Sequence, residues 1–154
     1  MVAALGIALG GYGVYLMMPQ EKTALFSMPQ GPWVRIAQIV IPVEVARSST
    51  EVQKGLSGRE TLPENAGMLF VFERPARYRF WMPDMHFPLD IIWINKGHVA
   101  GIEKNIPPLA DKKQPIFYTP QEPVRFVLET NAGFAKKNNI QVGDPVMLNY
   151  TEEE

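Results

Sequence analysis

From Trp33 onward the chain is written in short apolar runs, rich in β-branched residues and broken by turn residues every few positions. That spacing predicts strands. "WVRIAQIVIPVEVAR" reads as strand, with Pro42 breaking it or marking a sheet edge. "SSTEVQKGLSGRE" reads as a short helix, capped by Thr50 with Gln53 returning the bond and stopped at Gly58. Val52 and Leu56, four apart, would face the core. "GMLFVFE" and "RYRFWM" read as two strands separated by Arg74-Pro75-Ala76. "LDIIWIN" and "HVAGIEKNI" flank Lys96-Gly97, a hairpin signal. "PVRFVLET" is a further strand, "NAGFAKKNN" a short helix that Asn131 can cap, and "QVGDPVMLNY" turns at Gly143-Asp144 into a last strand. "LDIIWIN" is apolar on both faces, so it should be covered on both sides. The expected class is mainly β (α+β): a small barrel-like domain with two short helices.

The first part of the chain has a different pattern. Val2 to Met18 contains no charged residue, and it is followed by Pro19, Gln20, Glu21 and Lys22. About 17 residues is the short limit for a membrane span. A cleaved signal peptide would usually bring a basic start and a small-x-small cleavage site; here the only early positive charge is the chain's α-amine, and no Ala-x-Ala follows the apolar run. Residues 1–19 are therefore expected to form an apolar helix acting as a membrane anchor, with a signal segment as the rival. Residues 20–32, with prolines at both flanks of the stretch, read as a linker, and 33–154 as one folded domain. Such an anchor most often leaves its domain outside the cytoplasm.

Composition removes several classes of chemistry. The 154 residues are 46% hydrophobic and 20% charged, which argues for a folded chain. A net charge of −1 provides no global basic field for a nucleic acid. The absence of cysteine excludes disulfides, thiolate metal sites and a cysteine nucleophile. With His86 and His98 as the only histidines, a multi-histidine metal site is excluded too. No G-x-S-x-G, Walker or dinucleotide glycine pattern occurs. Neither a metal nor a cofactor is expected.

Three stretches, "KGLSGRETLPENAGMLFVFE", "FWMPDMHFPLDIIWIN" and "VRFVLETNAGFAKKNNIQVGDPV", resemble in order the domain of unknown function 192 family, also called UPF0127. The likeness runs from about Ile39 to Val146. It implies a compact β-rich domain, often behind a signal sequence or anchor, and no established activity. The family's aromatic motif falls on Phe80, Trp81 and Met82, and its aspartate on Asp90. Many members carry lysine, asparagine and threonine where this chain has Pro83, Asp84 and Met85.

Strand alternation puts Asp90 on a face with Ile92 and Ile94. A two-residue turn at Lys96-Gly97 would set Asp90 opposite Glu103, a carboxylate pair with catalytic potential. Alternatively, Asp90 accepts bonds from backbone amides or an arginine and holds the barrel end together. Arg59 could pair with Asp90 or Glu129, or grip an anionic ligand. Glu129 could equally favour the start of the helix after it. Trp81 and Met82 should point to opposite sides, with Phe80 following Met82, giving either plain core or an aromatic platform. Met85, His86 and Phe87 would lie on a proline-stiffened exposed loop suited to contact, with His86 a proton shuttle or simply solvated. His98, beside the hairpin turn, should be at the surface.

The expected ligand-binding set is therefore Arg59, Trp81, Met82, Asp90 and Glu129. The leading functional expectation is a membrane-tethered binding or interaction module for an unknown small molecule or envelope protein. The rivals are a hydrolase using Asp90 and Glu103, and a structural partner in an envelope complex.

Overall fold

The computed structural model describes residues 29–109 and 114–151. The expected anchor over 1–19, and residues 20–28 of the expected linker, lie outside the described residues. Among those described, no helix is long and apolar enough to cross a membrane.

Seven strands and two short helices follow in the order β1 (Trp33–Ile36), β2 (Ile39–Ala46), α1 (Ser49–Lys54), β3 (Gly67–Ala76), β4 (Leu89–Asn95), β5 (His98–Ile106), β6 (Val124–Asn131), α2 (Phe134–Lys137) and β7 (Val146–Asn149). The strands form one sheet in the order β5-β4-β6-β3-β2-β1-β7. The β2–β3 pair is parallel, because residues 47–66 provide the crossover that a parallel pair needs. All other strand pairs are antiparallel. The sheet curls into a half-barrel whose two edge strands touch at one end. There His98 bridges Pro145, Val146 N donates to Gly97 O (2.8 Å), and Gly143 N donates to Val99 O (2.8 Å).

The sheet is covered on both faces. One apolar cluster draws on every strand and on α2, including Val34, Ile41, Leu69, Ile92, Leu128 and Phe134, and fills the inside of the curl. A second, including Leu56, Phe70, Phe80, Met82, Ile91 and Trp93, lies on the outer face of β3-β6-β4. It is roofed by the segments around α1 and before β4. Consequently β4 is buried along both faces, as its sequence predicts.

Several local expectations are corrected. Residues 77–82 are not a strand. β3 runs through Arg74-Pro75 to Ala76, its ladder with β6 shifting between Val71 and Ala76, and of the following stretch only Phe80 pairs, with Tyr118. Pro75 lacks a ladder donor, and the irregular stretch of the ladder tolerates that. The capping box of α1 is Ser48 with Glu51 rather than Thr50 with Gln53. The helix stops at Gly55 (φ 47°), three residues before Gly58 (φ 75°). Asn131 does not cap α2: its amide donates instead to Leu62 O and Pro63 O (2.9 and 3.2 Å).

The hairpin between β4 and β5 forms as expected. Lys96 and Gly97 both have positive φ, as a tight two-residue turn requires. Asn95 pairs with His98 and Ile94 with Val99, and then Trp93 pairs with Gly101, so Ala100 is bulged out. A Cβ on Gly101 would stand 3.0 Å from Trp93 Cδ1, which shows how closely the indole lies on that backbone. The extra residue puts Glu103 opposite Ile91, not Asp90. The expected facing pair of Asp90 and Glu103 is not made.

Candidate functional site

Asp90 is fully buried in β4, directly opposite Thr130 of β6. Its Oδ1 accepts from Asn105 N (2.8 Å) and Gly133 N (3.1 Å), and its Oδ2 from Ala135 N (2.9 Å). Three amides from the end of β5 and the start of α2 converge on one carboxylate. They take the place of a local cap on α2, whose own N-cap residue, Gly133, has no side chain to offer. The carboxylate is thus committed to holding the open end of the half-barrel together.

Arg59 goes elsewhere than expected. Its guanidinium grips Glu44 of β2 in two bonds (2.5 and 2.7 Å), both side chains partly exposed. That contact holds the Glu44 carboxyl below its usual range. Arg59 meets neither Asp90 nor Glu129. His86 faces outward beside Glu60 (3.1 Å). Met85 and Phe87 do not protrude: both pack partly buried against the outer cluster, because alternation along the loop turns every second side chain inward. The loop is therefore a lid on the outer core, not an exposed apolar tip. The alternation expected at the aromatic motif holds: Phe80 and Met82 are core, while Trp81 is 41% exposed.

These elements line a partly open cavity of about 220 Å³. One wall is the end of α1 and its turn, from Val52 to Ser57; the other is the stretch from Tyr78 to Met85. Phe70 and Phe72 of β3 line it, and so does Glu129 of β6. Of the expected ligand-binding set, Trp81, Met82 and Glu129 line this cavity while Arg59 and Asp90 do not, and Met85 of the expected interaction loop lines it too. Phe70, Phe72, Tyr78 and the α1 turn join them, and no local pattern marks these as neighbours. The rings are braced before any ligand arrives. Phe72 stacks on Tyr78 at 3.6 Å, and Phe70 meets Phe80 edge-on at 5.0 Å. The Tyr78 hydroxyl is engaged with Arg74 O (2.6 Å).

Glu129 is the unusual member. It is 5% exposed and lines the cavity, yet no described side chain pairs with it. Burial alone pushes its carboxyl up to about 8. Near neutral pH it is therefore mostly a protonated acid, able to donate as well as accept a hydrogen bond. At the cavity mouth Trp81 leans toward Phe117 (6.2 Å between rings), and Arg79 lies over the Phe117 face at 3.9 Å. Among the described residues no cluster of three metal-ligating side chains occurs.

Known proteins place the chain without defining its activity. Two solved structures share the fold. A candidate transcription regulator from Sinorhizobium meliloti 1021 is 28% identical, with 76% of this chain and 92% of that one covered and a TM-score of 0.69. A protein of unknown function from Novosphingobium aromaticivorans DSM 12444 is 32% identical, over 75% and 83% of the two chains, also with a TM-score of 0.69. No curated protein matches. The profile of one family, DUF192, described as "Uncharacterized ACR", matches residues 33–148, nearly the whole described domain, so the chain belongs to the DUF192 family.

Proposed function

We propose that the domain is a binding module for a small molecule, which sits in the cavity between the α1 turn and the aromatic stretch and is held at its base by Glu129. One observation carries this reading: a nearly buried carboxyl with no partner among the described residues, facing a cavity walled by braced aromatic rings. An unpaired buried polar group is costly, so its retention needs a compensating contact. A cavity lined mainly by apolar and aromatic side chains, with a few polar groups among them, is the usual form of a ligand site. The hydrolase alternative loses its pair, since Asp90 is spent on backbone amides and Glu103 faces Ile91. The net charge of −1 supports no nucleic-acid role, so the Sinorhizobium relative's description is not carried over.

The proposal keeps the membrane tether: the uncharged run Val2–Met18 anchors the chain and holds the domain outside the cytoplasm. Two experiments test these statements. A fragment screen by protein-observed NMR should shift the resonances of Trp81, Met85 and Glu129 together; hits confined to other surfaces would remove the pocket reading. Full-length protein should stay in the membrane pellet after carbonate extraction, and its release into the supernatant would remove the tether. An envelope protein docking on the half-exposed Trp81 and Phe117 is the second reading, favoured by their adjacency at the mouth. It requires that Trp81→Ala abolish a protein contact while leaving fragment binding at Glu129 intact.

A further inference from the structure

We infer that the cavity takes a compact alkylammonium ion, its positive centre set against the Glu129 carboxylate among the rings of Phe70, Phe72, Tyr78, Phe80 and Trp81. This rests on the pocket reading above and adds the charge and class of the ligand. The choice among anion, neutral molecule and cation follows from what lines the site. An anion could be drawn to Lys54 and Arg79, which also line the site, but both are exposed and Arg79 lies on Phe117; farther in, the anion would meet a carboxyl group and the negative faces of aromatic rings. A neutral molecule could bond the protonated acid, but the rings would offer it only apolar contact. A cation uses both features at once. It supplies the counter-charge that no described side chain gives Glu129, and ring faces attract it further.

The titratable groups around the cavity do not already fill this role. Lys54, at the end of α1, and Arg79 are exposed at the rim, and Arg79 is stacked on Phe117. Tyr78 donates its hydroxyl proton to Arg74 O. None is among the causes of the Glu129 shift, which burial alone produces. A cation entering the cavity must therefore displace the Glu129 proton, so binding releases a proton near neutral pH. Size limits the ion. About 220 Å³ is below the usual range for drug-sized ligands, which suits an ammonium bearing a few small alkyl groups rather than a peptide. The stacked and edge-on rings are in place beforehand, so little ordering is left for the ligand to impose.

The test compares choline with 3,3-dimethylbutan-1-ol, which has the same shape without the charge. Both are titrated into the protein at pH 8 by calorimetry and NMR. Choline should bind at least about tenfold more tightly than the alcohol. Its signals should map to Trp81 and Met85, and calorimetry in buffers of different ionisation heat should show proton release. Glu129→Gln keeps the shape and hydrogen bonding of the side chain. It should cut choline affinity about tenfold, abolish proton release and leave the alcohol unchanged. Equal binding of the two compounds overturns the cation inference while sparing the small-molecule pocket. Choline binding that ignores Glu129→Gln overturns it as well. If neither compound shifts the cavity resonances, the inference and the pocket reading beneath it both fall.

Discussion

Asp90 and Glu129 sit on adjacent strands of one sheet, a single register step apart, since Asp90 faces Thr130 and Ile91 faces Glu129. Because neighbours along a strand point to opposite sides, the two carboxyl groups enter different halves of the molecule. Asp90 goes into the half-barrel, where three backbone amides meet it. Glu129 goes to the outer face, where apolar side chains and an open cavity meet it. Both are almost wholly buried, so burial does not separate structure from function here. Partners do. A carboxylate with three amide donors has a complete structural task, whereas one with none is held in a state that a ligand can relieve.

The sharpest way to break this comparison is at Asp90. Asp90→Ala should destabilise the domain by about 3–4 kcal/mol, because three backbone donors lose their acceptor and the end of β5 is no longer tied to α2. Urea unfolding would measure it, and a midpoint unchanged from wild type would mean the inner face does not depend on that carboxylate.

The outer face depends on its lid. Met85 and Phe87 pack on the cluster that lines the cavity, so changing both to serine should lower stability by about 2–3 kcal/mol. Thermal melts that coincide with wild type would show that the loop is an exposed contact surface after all.

Glu129→Gln tests the other half, and its sign depends on pH. The folded-state value, about 8, is above the ordinary value of 4.5. The folded protein therefore keeps a proton that the unfolded chain has lost. That contribution is complete below the unfolded value and falls as pH rises toward 8, by up to about 1.4 kcal/mol per pH unit. Glutamine cannot ionise, so the variant should gain stability over wild type steadily as pH rises from 5 to 8, with its own profile flatter across that range. Parallel pH profiles for the two proteins would show that Glu129 is already ionised and paired.

Arg59→Ala should matter least. Its pair with Glu44 is partly exposed, and such pairs contribute about 0.5 kcal/mol or less once solvent screening is counted. A loss above about 1 kcal/mol, or any loss of cavity binding, would place Arg59 inside the site and blur the contrast between the two faces.

Much of this was legible in the residues. Local pattern predicted β4, β5, β6 and the Lys96-Gly97 hairpin, because period-two alternation and a glycine turn are short-range signals. The same alternation separated Trp81 from Phe80 and Met82. It failed where the outcome depended on distant groups. The Ala100 bulge, where Trp93 lies over Gly101, shifts the register beyond the turn, so no turn rule could keep Glu103 opposite Asp90. Asn131 looked like a cap, but Asp90, more than forty residues earlier, reached α2 first. Arg59 had Asp90 and Glu129 as candidate partners, and the crossover between the parallel strands β2 and β3 instead set it beside Glu44. By itself the sequence determined most of the strands and the alternation of sides along each of them. The tertiary structure alone decided which carboxyl would find amides and which would be left facing a cavity, because hydrogen-bond donors are supplied by whatever backbone the fold brings near, and that is not a local property of the chain.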